Sequence, residues 1–565
     1  MKTWLPAGLG ILAVLYYAAT VLAYAYDFPY MDDYPVVVDF LNRLPAAHTI
    51  GQKMTLLLEQ NNFHRLVLVK LLAWANVGLT GSVSFLLLQY VGLAALLATA
   101  ALLWRSGTEI PASARLVAQP GFFTTEAGAS VLLLLFQFQG WNVAFWPIVA
   151  VSNVVAPLLA LAAFGVAFRP GTVPGQLTGA RVTGAVGLGL LALFTNGNGL
   201  LVLPLLGLGW GLRGQWRGVG AALVAGVAGY WVYFQHYQNP SGTLLTTLFS
   251  VEKITHLLAL DTAFLGAALY HPAAARLPIL VGSLSVGWVA YLGWLRYDRT
   301  NPVLFWLLIF LHLTGLMLAL NRLQNDTSIV FASRYRNITA LHLATTYLTV
   351  ADVLGRAGLV RVRRGVVGLA TVGSAALCLV SNLTYHSKVV RFRELKQTDN
   401  LLWQRYGLVR ACAPQYGPAV ALSLLTRRGL FRPTAVSLAG LQSRAVAAVS
   451  GTVDVSAPTG KLQYALDFCR IDSGFVVVSG WAKVAGQKAN FNQTTVGIKT
   501  NGNWQYYSTL FHQRLDNHDS ANDKDTGFTA IIPATNVPDS LRIVVQSGRV
   551  LAQKTFYLPL LISLK

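Results

Sequence analysis

The chain has 565 residues, of which 54% are hydrophobic and only 12% are charged, and its mean hydropathy is +0.51. Because charged residues normally make up about a quarter of a soluble domain, this composition excludes an ordinary soluble globule and predicts an α-helical polytopic membrane protein. The formal net charge is +21, but the basic residues flank apolar runs and form no stripe with interleaved aromatic residues, so they indicate membrane topology and no nucleic-acid partner.

The apolar runs are candidate membrane spans. The first run, Trp4 to Tyr24, has no charge and no small-residue cleavage site, which predicts a retained signal anchor. In all we expect about eleven spans, near 4–24, 81–104, 127–139, 143–168, 182–195, 198–212, 218–234, 274–295, 302–320, 337–354 and 365–383. With a cytoplasmic N-terminus, nearly every basic cluster falls on the cytoplasmic side, and loops 25–80, 235–273 and 321–336 lie outside with everything after about Ser381.

The chain changes character beyond the last span. The stretch "HSKVVRFRELKQTDNLLWQRY" is typical of a solvated helix, and from about Lys461 seven short alternating runs predict a small C-terminal all-β sandwich domain. We therefore expect a membrane catalytic domain at 1–383, an external helical linker at 384–455 and an external β-sandwich at 456–565. The cysteines, Cys378, Cys412 and Cys469, have no metal-ligand spacing, and a Cys412–Cys469 disulfide and two unrelated thiols are both compatible with the sequence.

The first external loop gathers acids although acids are scarce in the chain. Within "YDFPYMDDYPVVVDFLNRLP", Asp32 and Asp33 are adjacent and flanked by aromatic residues and proline, a rigid setting that can hold a carboxylate against a substrate. The loop continues into "LEQNNFHRLVLVKLLAWANVG". If that stretch is helical, Asn61, His64 and Arg65 share one face, while Leu66, Val67 and Val69 face away toward lipid or protein.

Three later external segments are also polar: "FQFQGWN" at Phe136, "TNGNG" at Thr195 and "NRLQNDTSIVFASRYRNIT" at Asn321. Together with the first loop they can form one external cavity with carboxylates on one wall and arginines on another. A carboxylate can deprotonate an acceptor hydroxyl, and a guanidinium can hold a departing phosphate with two hydrogen bonds. Sugar transfer from a polyprenyl phosphate needs both functions.

Four short motifs in this region carry a resemblance. They read "MDDY" at 31–34, "NFHR" at 62–65, "NGLLVLP" at 198–204 and "SRY" at 333–335. Their order and spacing over about the first 350 residues resemble the C-type integral membrane glycosyltransferases, and more narrowly a group of bacterial multispan proteins with an acidic pair, an "NEHR"-like motif, an "NGL…P" break and "SRY". The chain departs from this group at Phe63, where the group has an acid; Glu59, one turn earlier, is the candidate substitute.

The resemblance implies a function and roles for particular residues. The chain would be a glycosyltransferase of a bacterial inner membrane, with a polyprenyl-phosphate sugar donor, a glycan, lipid or protein acceptor, membrane lipids around it and its C-terminal domain on the periplasmic side. Asp32 or Asp33 would be the catalytic base or would orient the acceptor. The substrate-binding residues would be Asn62, His64, Arg65, Arg322, Arg334 and Tyr335. Some C-type enzymes bind a divalent metal at the acidic loop. No ligand set is evident in this sequence, so the sequence does not decide whether a metal is bound, and no other cofactor is expected.

Several residues of these segments also have an alternative interpretation in which they serve only the structure. Arg334 and Arg336 can anchor the start of a span by reaching lipid headgroups, and His64 can simply cap or pack. Asn196 and Asn198 can make only a tight turn between two short spans. Four aromatic residues of the sandwich have two interpretations: Trp481, Trp504, Tyr506 and Tyr507. They can bind an acceptor glycan, or they can form the hydrophobic core, and the second interpretation is favoured because alternate strand residues face inward.

Other functions also fit the composition. A transporter or flippase for a lipid-linked saccharide would need a polar cavity and arginines, but two matching halves with broken helices are not visible in the sequence. A polysaccharide polymerase or ligase is chemically close, and the later loops hold His236, His256 and Arg322. A scaffold carrying the sandwich would need far fewer spans than about eleven.

Overall fold

The structure is a computed structural model, and it describes most of the chain. The described residues are 4–108, 122–168, 178–238, 250–271, 274–323, 327–442, 445–446, 460–486, 493–500, 503–512, 526–533, 539–547 and 550–557. The chain divides into two compact units. The first unit consists of residues 1–25, 43–79 and 85–389, and the second of residues 26–42, 80–84 and 390–565. Each is described by itself.

The described α-helices are numbered in chain order. They are α1 (Trp4–Tyr24), α2 (Asp39–Arg43), α3 (Ile50–Leu57), α4 (Val67–Thr80), α5 (Phe85–Thr108), α6 (Phe122–Leu135), α7 (Trp141–Phe145), α8 (Pro147–Ala167), α9 (Gly179–Leu193), α10 (Val202–Gly211), α11 (Trp216–Phe234), α12 (Val251–Leu265), α13 (Leu277–Trp294), α14 (Tyr297–Thr300), α15 (Pro302–Asn321), α16 (Ser333–Arg356), α17 (Val360–Tyr406) and α18 (Pro418–Arg427).

In the described ranges, eight helices are long and apolar enough to cross a membrane. They cover Leu5–Tyr24, Phe85–Ser106, Ala127–Phe145, Pro147–Ala167, Leu277–Trp294, Pro302–Asn321, Ser333–Arg356 and Val360–Tyr406. Three shorter apolar helices cover Val67–Thr80, Gly179–Leu193 and Gly197–Gly211. The chain is therefore a multi-pass membrane protein by the length and composition of its helices.

Small residues let the helices of the first unit approach closely. A Cβ on Gly92 of α5 would lie 2.7 Å from the Cβ of Ala150 on α8. A Cβ on Gly282 of α13 would lie 1.9 Å from the carbonyl oxygen of Thr262 on α12. Any larger residue at these two positions would push the helices apart, as expected for membrane helices that pack through small side chains.

The expectation of a continuous helix through "NNFHR" is wrong. Asn61 and His64 exchange two backbone hydrogen bonds, of 2.8 and 2.9 Å, and form an isolated antiparallel bridge. Asn62 has a φ of 50°, a left-handed conformation that asparagine tolerates better than most residues. Helix α4 begins only at Val67, so a tight turn precedes it and the side chains around it do not follow helical spacing.

Residues 386–406 are helical, as predicted, but much of this stretch is buried and not solvated. Helix α17 runs unbroken from Val360 to Tyr406, because no glycine or proline interrupts it after residue 373. In the second unit its polar side chains Asp399 and Asn400 are fully buried. Asp399 accepts the backbone N–H of Ala411 at 2.8 Å, and Asn400 donates to the carbonyl of Thr434 at 2.9 Å. These polar side chains are buried because they hold neighbouring chain segments.

The C-terminal part of the second unit contains two antiparallel sheets. The described strands are β1 (Ala445–Val446), β2 (Leu462–Asp472), β3 (Phe475–Val484), β4 (Gln493–Thr500), β5 (Asn503–Ser508), β6 (Leu510–His512), β7 (Gly527–Pro533), β8 (Ser540–Ser547) and β9 (Val550–Tyr557). One sheet has the order β1-β5-β4-β8-β9 and the other β2-β3-β7-β6. Each of the seven runs predicted as strands contains a strand, because alternating β-branched and aromatic residues fit a pleated sheet with one buried face, but the run predicted as one strand at 503–511 divides into β5 and β6 of different sheets.

One hydrophobic core draws residues from both sheets. Val478 pairs with Ala530 in one sheet and Val496 with Ile543 in the other, and all four side chains are buried in this core. Tyr507 belongs to the same core, as the packing interpretation predicts. On another face, the guanidinium of Arg542 lies 4.1 Å from the centre of the Trp504 ring.

The three cysteines are free thiols and all are buried. Burial raises the pKa of Cys469 to about 11. Burial, followed by the nearby carboxylate of Asp32, raises the pKa of Cys412 to about 12. Of the two alternatives left open by the sequence, the structure has the unrelated thiols.

Candidate functional site

A cavity of about 530 Å³ lies in the first unit, where several polar segments meet. The polar side chains that line it are His64, Asn153, Asn196, Asn198, Asn321, Arg322 and Tyr335, together with Thr314. The sequence predicted that "TNGNG", the "NRLQ" segment and "SRY" would form one cavity with the loop after the first span. Within the first unit, the structure brings these segments and "NFHR" together.

Two arginines meet at a single tyrosine beside this cavity. Arg322 caps the C-terminal end of α15, and Arg334 and Tyr335 lie in the first turn of α16. Both guanidinium groups lie near the hydroxyl of Tyr335 and interact with it electrostatically. The guanidinium of Arg334 lies 5.1 Å from the Tyr335 ring centre, and that of Arg322 lies 5.8 Å from the ring centre of Phe63.

Neither of these arginines forms an ion pair with any residue that the structure describes. Both are half-buried, so their positive charges are less screened than they would be in open water. Two like charges near one hydroxyl repel each other, and an anion between them would remove that repulsion. The N-terminus of α16 adds partial positive charge from its backbone N–H groups. The site is therefore built to attract an anion.

His64 faces the same cavity as a neutral imidazole. The backbone N–H of Gly197 approaches its Nδ1 at 3.2 Å, and a backbone N–H can only donate. Nδ1 is thus the acceptor, and the proton of the neutral ring is on Nε2. Burial lowers the pKa of His64 to about 4, and the charges of Arg322 and Arg334 act in the same direction. At neutral pH the ring therefore contributes a hydrogen-bond donor without a charge.

A chain of asparagine hydrogen bonds runs from the cavity wall to Arg334. The Nδ2 of Asn196 donates to the Oδ1 of Asn153 at 3.0 Å. The Nδ2 of Asn153 then donates to the backbone carbonyl of Arg334 at 2.8 Å. Asn153 lies in the middle of α8, and both asparagines are buried. This chain fixes the start of α16 and with it the position of the Arg334 side chain.

Asn198 differs from its neighbours because its amide has no partner. It is 5% exposed, and neither its Oδ1 nor its Nδ2 has a hydrogen-bond partner among the described residues. A buried polar atom left without a hydrogen bond costs about 1–3 kcal/mol. The Asn198 amide lines the cavity and presents one acceptor and one donor group to whatever occupies it.

The glycines of "TNGNG" are required by close contacts. A Cβ on Gly199 would lie 1.8 Å from the carbonyl oxygen of Ala192, which is backbone and cannot move aside. The Asn196 side chain accepts the Gly197 N–H at 2.8 Å and starts the short 3-10 helix Gly197–Leu201. The segment is therefore a turn between two short apolar helices, as the structural interpretation predicts, and its side chains line the cavity as well.

The other predicted substrate-binding residues lie away from the cavity lining. Asn62 is exposed on the turn. Arg65 is buried and donates to the backbone carbonyls of Tyr233 and Gln235, so it holds the end of α11. Glu59 accepts two hydrogen bonds of 2.9 Å from Arg43 and is already paired.

Arg336 has a packing role that the sequence did not reveal. It is 6% exposed, and it donates to the Tyr385 hydroxyl at 2.5 Å and to the Phe331 carbonyl at 3.0 Å. It also lies over the rings of Tyr270 and Tyr385. The idea that Arg336 reaches lipid headgroups is therefore wrong, because its guanidinium is held inside the protein.

The predicted acidic pair, Asp32 and Asp33, belongs to the second unit. Asp33 is fully buried, accepts the backbone N–H of Tyr30 at 2.8 Å and attracts the buried ammonium of Lys396. Lys396 in turn donates to the carbonyl of Tyr26 at 3.2 Å. Asp32 is only half-buried. The two adjacent carboxylates therefore have different environments, and Asp33 holds the loop together.

The described side chains do not assemble a metal site. Nowhere in the described ranges do three or more His, Cys, Asp or Glu side chains lie close enough together to bind a metal ion. The cavity itself offers one imidazole and several amides, which are poor ligands for a divalent cation beside two arginines.

Sequence reasoning missed Asn153, although a signal was present. Asn153 lies in the otherwise largely apolar run "PIVAVSNVVAP", and a polar residue within a span is a functional or packing site by default. It also undervalued Asn198, whose unpaired amide can be recognised only once its surroundings are known.

No protein-family model, no curated protein and no solved structure matches the chain.

Proposed function

We propose that this protein is a membrane glycosyltransferase that transfers a sugar from a polyprenyl-phosphate donor to an acceptor hydroxyl. The observation that carries the proposal is that two guanidinium groups, those of Arg322 and Arg334, lie near Tyr335 at the cavity without an ion-pair partner among the described residues. They lie at adjacent ends of two consecutive candidate spans, α15 and α16. A phosphate on a membrane lipid would reach such a position from the headgroup level.

The chemistry of the two arginines suits a phosphate leaving group. A guanidinium can hold two phosphate oxygens at once with charge-assisted hydrogen bonds, which are roughly twice as strong as neutral ones. As the bond between the sugar and the phosphate breaks, negative charge grows on the phosphate. Fixed positive charge beside it stabilises that state more than the ground state, and this difference lowers the barrier.

The neutral side of the cavity suits a sugar. Asn198 offers an unpaired donor and an unpaired acceptor, and His64 offers its Nε2–H. A sugar hydroxyl is both a donor and an acceptor, so one amide can satisfy it completely. The partial closure of the cavity by Phe63, Met317 and Ile338 limits water near the reacting carbon.

The described lining of the cavity contains no carboxylate. Asp32 and Asp33 remain the predicted base. We assign that role to Asp32, because its carboxylate is half-buried whereas that of Asp33 is fully buried. A general base typically contributes about a hundredfold or more to the rate, so its loss should be easy to measure.

We further propose that the protein resides in a bacterial inner membrane with a cytoplasmic N-terminus and about eleven spans. The basic clusters that alternate with the apolar runs support this orientation. In this arrangement the two C-terminal sheets form a β-sandwich on the external side. A periplasm-specific reporter fused after Lys565 should be active, and activity only from a cytoplasm-specific reporter would contradict the orientation.

The function is tested by mass spectrometry of polyprenyl phosphates and surface glycans in cells that lack the gene. The proposal predicts that the sugar-loaded lipid accumulates and that one sugar disappears from a surface glycan. Wild-type protein and Arg361→Gln, a change at an exposed arginine, should restore the glycan, whereas Arg334→Gln should not. Loss of an entire exported glycan would support the transporter alternative, and unchanged glycans and lipid pools would contradict both.

A further inference from the structure

A second polar cluster lies among the candidate spans of the first unit. The hydroxyl of Ser285 on α13 lies 2.9 Å from the Nε2 of His342 on α16 and 3.2 Å from the Nε2 of His312 on α15. The two imidazole centres are 4.7 Å apart and the rings are nearly perpendicular. Ser285 and His342 are 4% and 2% exposed. Polar groups so deep among apolar helices are costly, which makes them functional candidates.

The other ring nitrogens of both histidines face backbone carbonyls. The Nδ1 of His342 lies 3.0 Å from the carbonyl oxygen of Leu265, and the Nδ1 of His312 lies 2.9 Å from that of Leu308. A carbonyl oxygen can only accept, so each Nδ1 must carry a proton. If both rings are neutral, each Nε2 is then a lone-pair acceptor that requires a donor.

Ser285 has a single hydroxyl proton and cannot donate to both rings. With two neutral histidines, one Nε2 faces the lone pairs of the serine oxygen and repels it. One additional proton removes this conflict: a cationic His312 donates from Nε2 to the Ser285 oxygen, and the Ser285 hydroxyl donates to the Nε2 of His342. Every polar atom of the cluster is then satisfied.

We propose that His312, Ser285 and His342 form a proton-binding site, in which one extra proton is shared between the two imidazoles through the serine hydroxyl. The proton can move in two short steps. His312 transfers its Nε2 proton to the Ser285 oxygen while the original hydroxyl proton passes to the Nε2 of His342. No charge is created or lost, and the positive charge moves from one helix to the other.

The charged groups on the surrounding helices favour this site. Helices α13 and α15 carry no Asp, Glu, Lys or Arg. On α12, Asp261 lies one turn before Leu265, and its Oδ1 is buried without a hydrogen-bond partner among the described residues. This oxygen also lies against Gly315, three residues after His312. Burial raises the pKa of Asp261 to about 6, so at neutral pH its carboxylate is a nearby counter-charge.

Three of the four charged residues of α16 are engaged elsewhere, and the fourth, Arg334, lies in the first turn of the helix. Asp352 binds Arg356 at 3.0 Å and accepts the Tyr297 hydroxyl at 2.8 Å, and Arg336 is held by Phe331 and Tyr385. Ile338, one helical turn before His342, lines the Asn198 cavity. The proton site is thus a separate cluster that lies one turn further along the same helix, and its existence does not depend on the proposed transfer reaction.

The test is nitrogen NMR of the full-length protein in lipid nanodiscs, labelled with ¹⁵N-histidine. A cationic imidazole shows two protonated ring nitrogens, and a neutral ring shows one. At pH 7.5 the wild-type protein should show one cationic ring that resists solvent exchange, and His312→Gln and His342→Gln should each abolish it. His48→Asn, a change at an exposed histidine, should leave it in place.

Ser285→Ala provides the second variant, because removal of one small hydroxyl is the mildest change available in the cluster. It eliminates the bridge, so the cationic signal should disappear at pH 7.5 while the thermal transition shows that the protein is still folded. Two neutral rings in wild-type protein from pH 6 to pH 8 would overturn the proposal. A cationic ring that persists in Ser285→Ala would overturn the sharing through the hydroxyl.

Discussion

The backbone N–H of Gly197 lies 3.2 Å from the Nδ1 of His64, and a Cβ added to residue 197 would lie only 2.6 Å from that same nitrogen. The contact joins two motifs that are more than a hundred residues apart in the chain. It also defines the tautomer of His64 and directs its Nε2–H away from the turn. The glycine is therefore needed for the position of the histidine as well as for the turn itself.

Gly197→Ala should displace His64 and lower glycosyl transfer by about tenfold or more, the scale expected when a misplaced group loses its aligned hydrogen bond. Gly207→Ala is the matched control, because its Cβ would meet only the Cβ of Ala222 at 3.6 Å, an ordinary contact. The measurement is the transfer rate at saturating donor. Equal rates for the two variants would show that the position of His64 is unimportant.

The pKa of His64 predicts how stability depends on pH. The folded pKa of about 4 is below the ordinary value of 6.5, so the unfolded chain binds more protons between these values. The contribution of His64 to stability is therefore present above pH 6.5 and is lost as the pH falls toward 4. The thermal transition of His64→Asn should decline less than that of wild type between pH 7 and pH 4.5, whereas His48→Asn should follow wild type.

The two acids of "MDDY" should separate into a structural and a functional residue. Asp33→Asn removes the larger of two carboxylate interactions with the buried Lys396 and leaves only that of Asp27, so it should lower the thermal transition and the yield. Asp32→Asn should purify normally and lose activity by about a hundredfold. An Asp33→Asn protein as stable as wild type, or a fully active Asp32→Asn protein, would contradict the respective assignment.

Asn198→Leu should make the ligand-free protein more stable and inactive. Leucine has a similar volume and removes two buried polar atoms that lack partners, a gain on the order of 2 kcal/mol. The same change removes the donor and the acceptor offered to the sugar. Asn196→Leu should instead destabilise, because the Asn196 amide is already bonded to Asn153 and Gly197. Thermal transitions of the two variants distinguish these outcomes.

The parts of the fold that the sequence predicted well are those with a regular period. The strand Phe475–Val484 and its neighbours alternate apolar and polar residues, and most of the long apolar runs correspond to long helices. The turn at Asn61–His64 was mispredicted because helical spacing of polar residues also occurs by chance over five residues. The turn contains Asn62 with a left-handed φ, a conformation that asparagine tolerates but does not require, so the sequence does not announce it.

The sequence predicted which chain segments form the candidate site better than it predicted which individual residues line it. "SRY" and "NFHR" were singled out, and they do contribute Tyr335 and His64 to one cavity. The sequence favoured Arg334 over Arg336 as a ligand, but only the structure shows that Arg336 is held by Phe331 and Tyr385. Arg65 was a candidate by position alone, yet the backbone carbonyls at the end of α11 take up its hydrogen bonds.

The most direct test of the central claim is equilibrium binding of a radiolabelled polyprenyl phosphate to the full-length protein in nanodiscs. The cavity predicts saturable binding that weakens by about tenfold or more in Arg322→Gln and in Arg334→Gln, since a charge-assisted hydrogen bond contributes about 1.5–3 kcal/mol. Arg361→Gln, at an exposed position, should bind like wild type. Unchanged affinity in a protein that carries both Arg322→Gln and Arg334→Gln would contradict the claim that this cavity holds the phosphate of the donor.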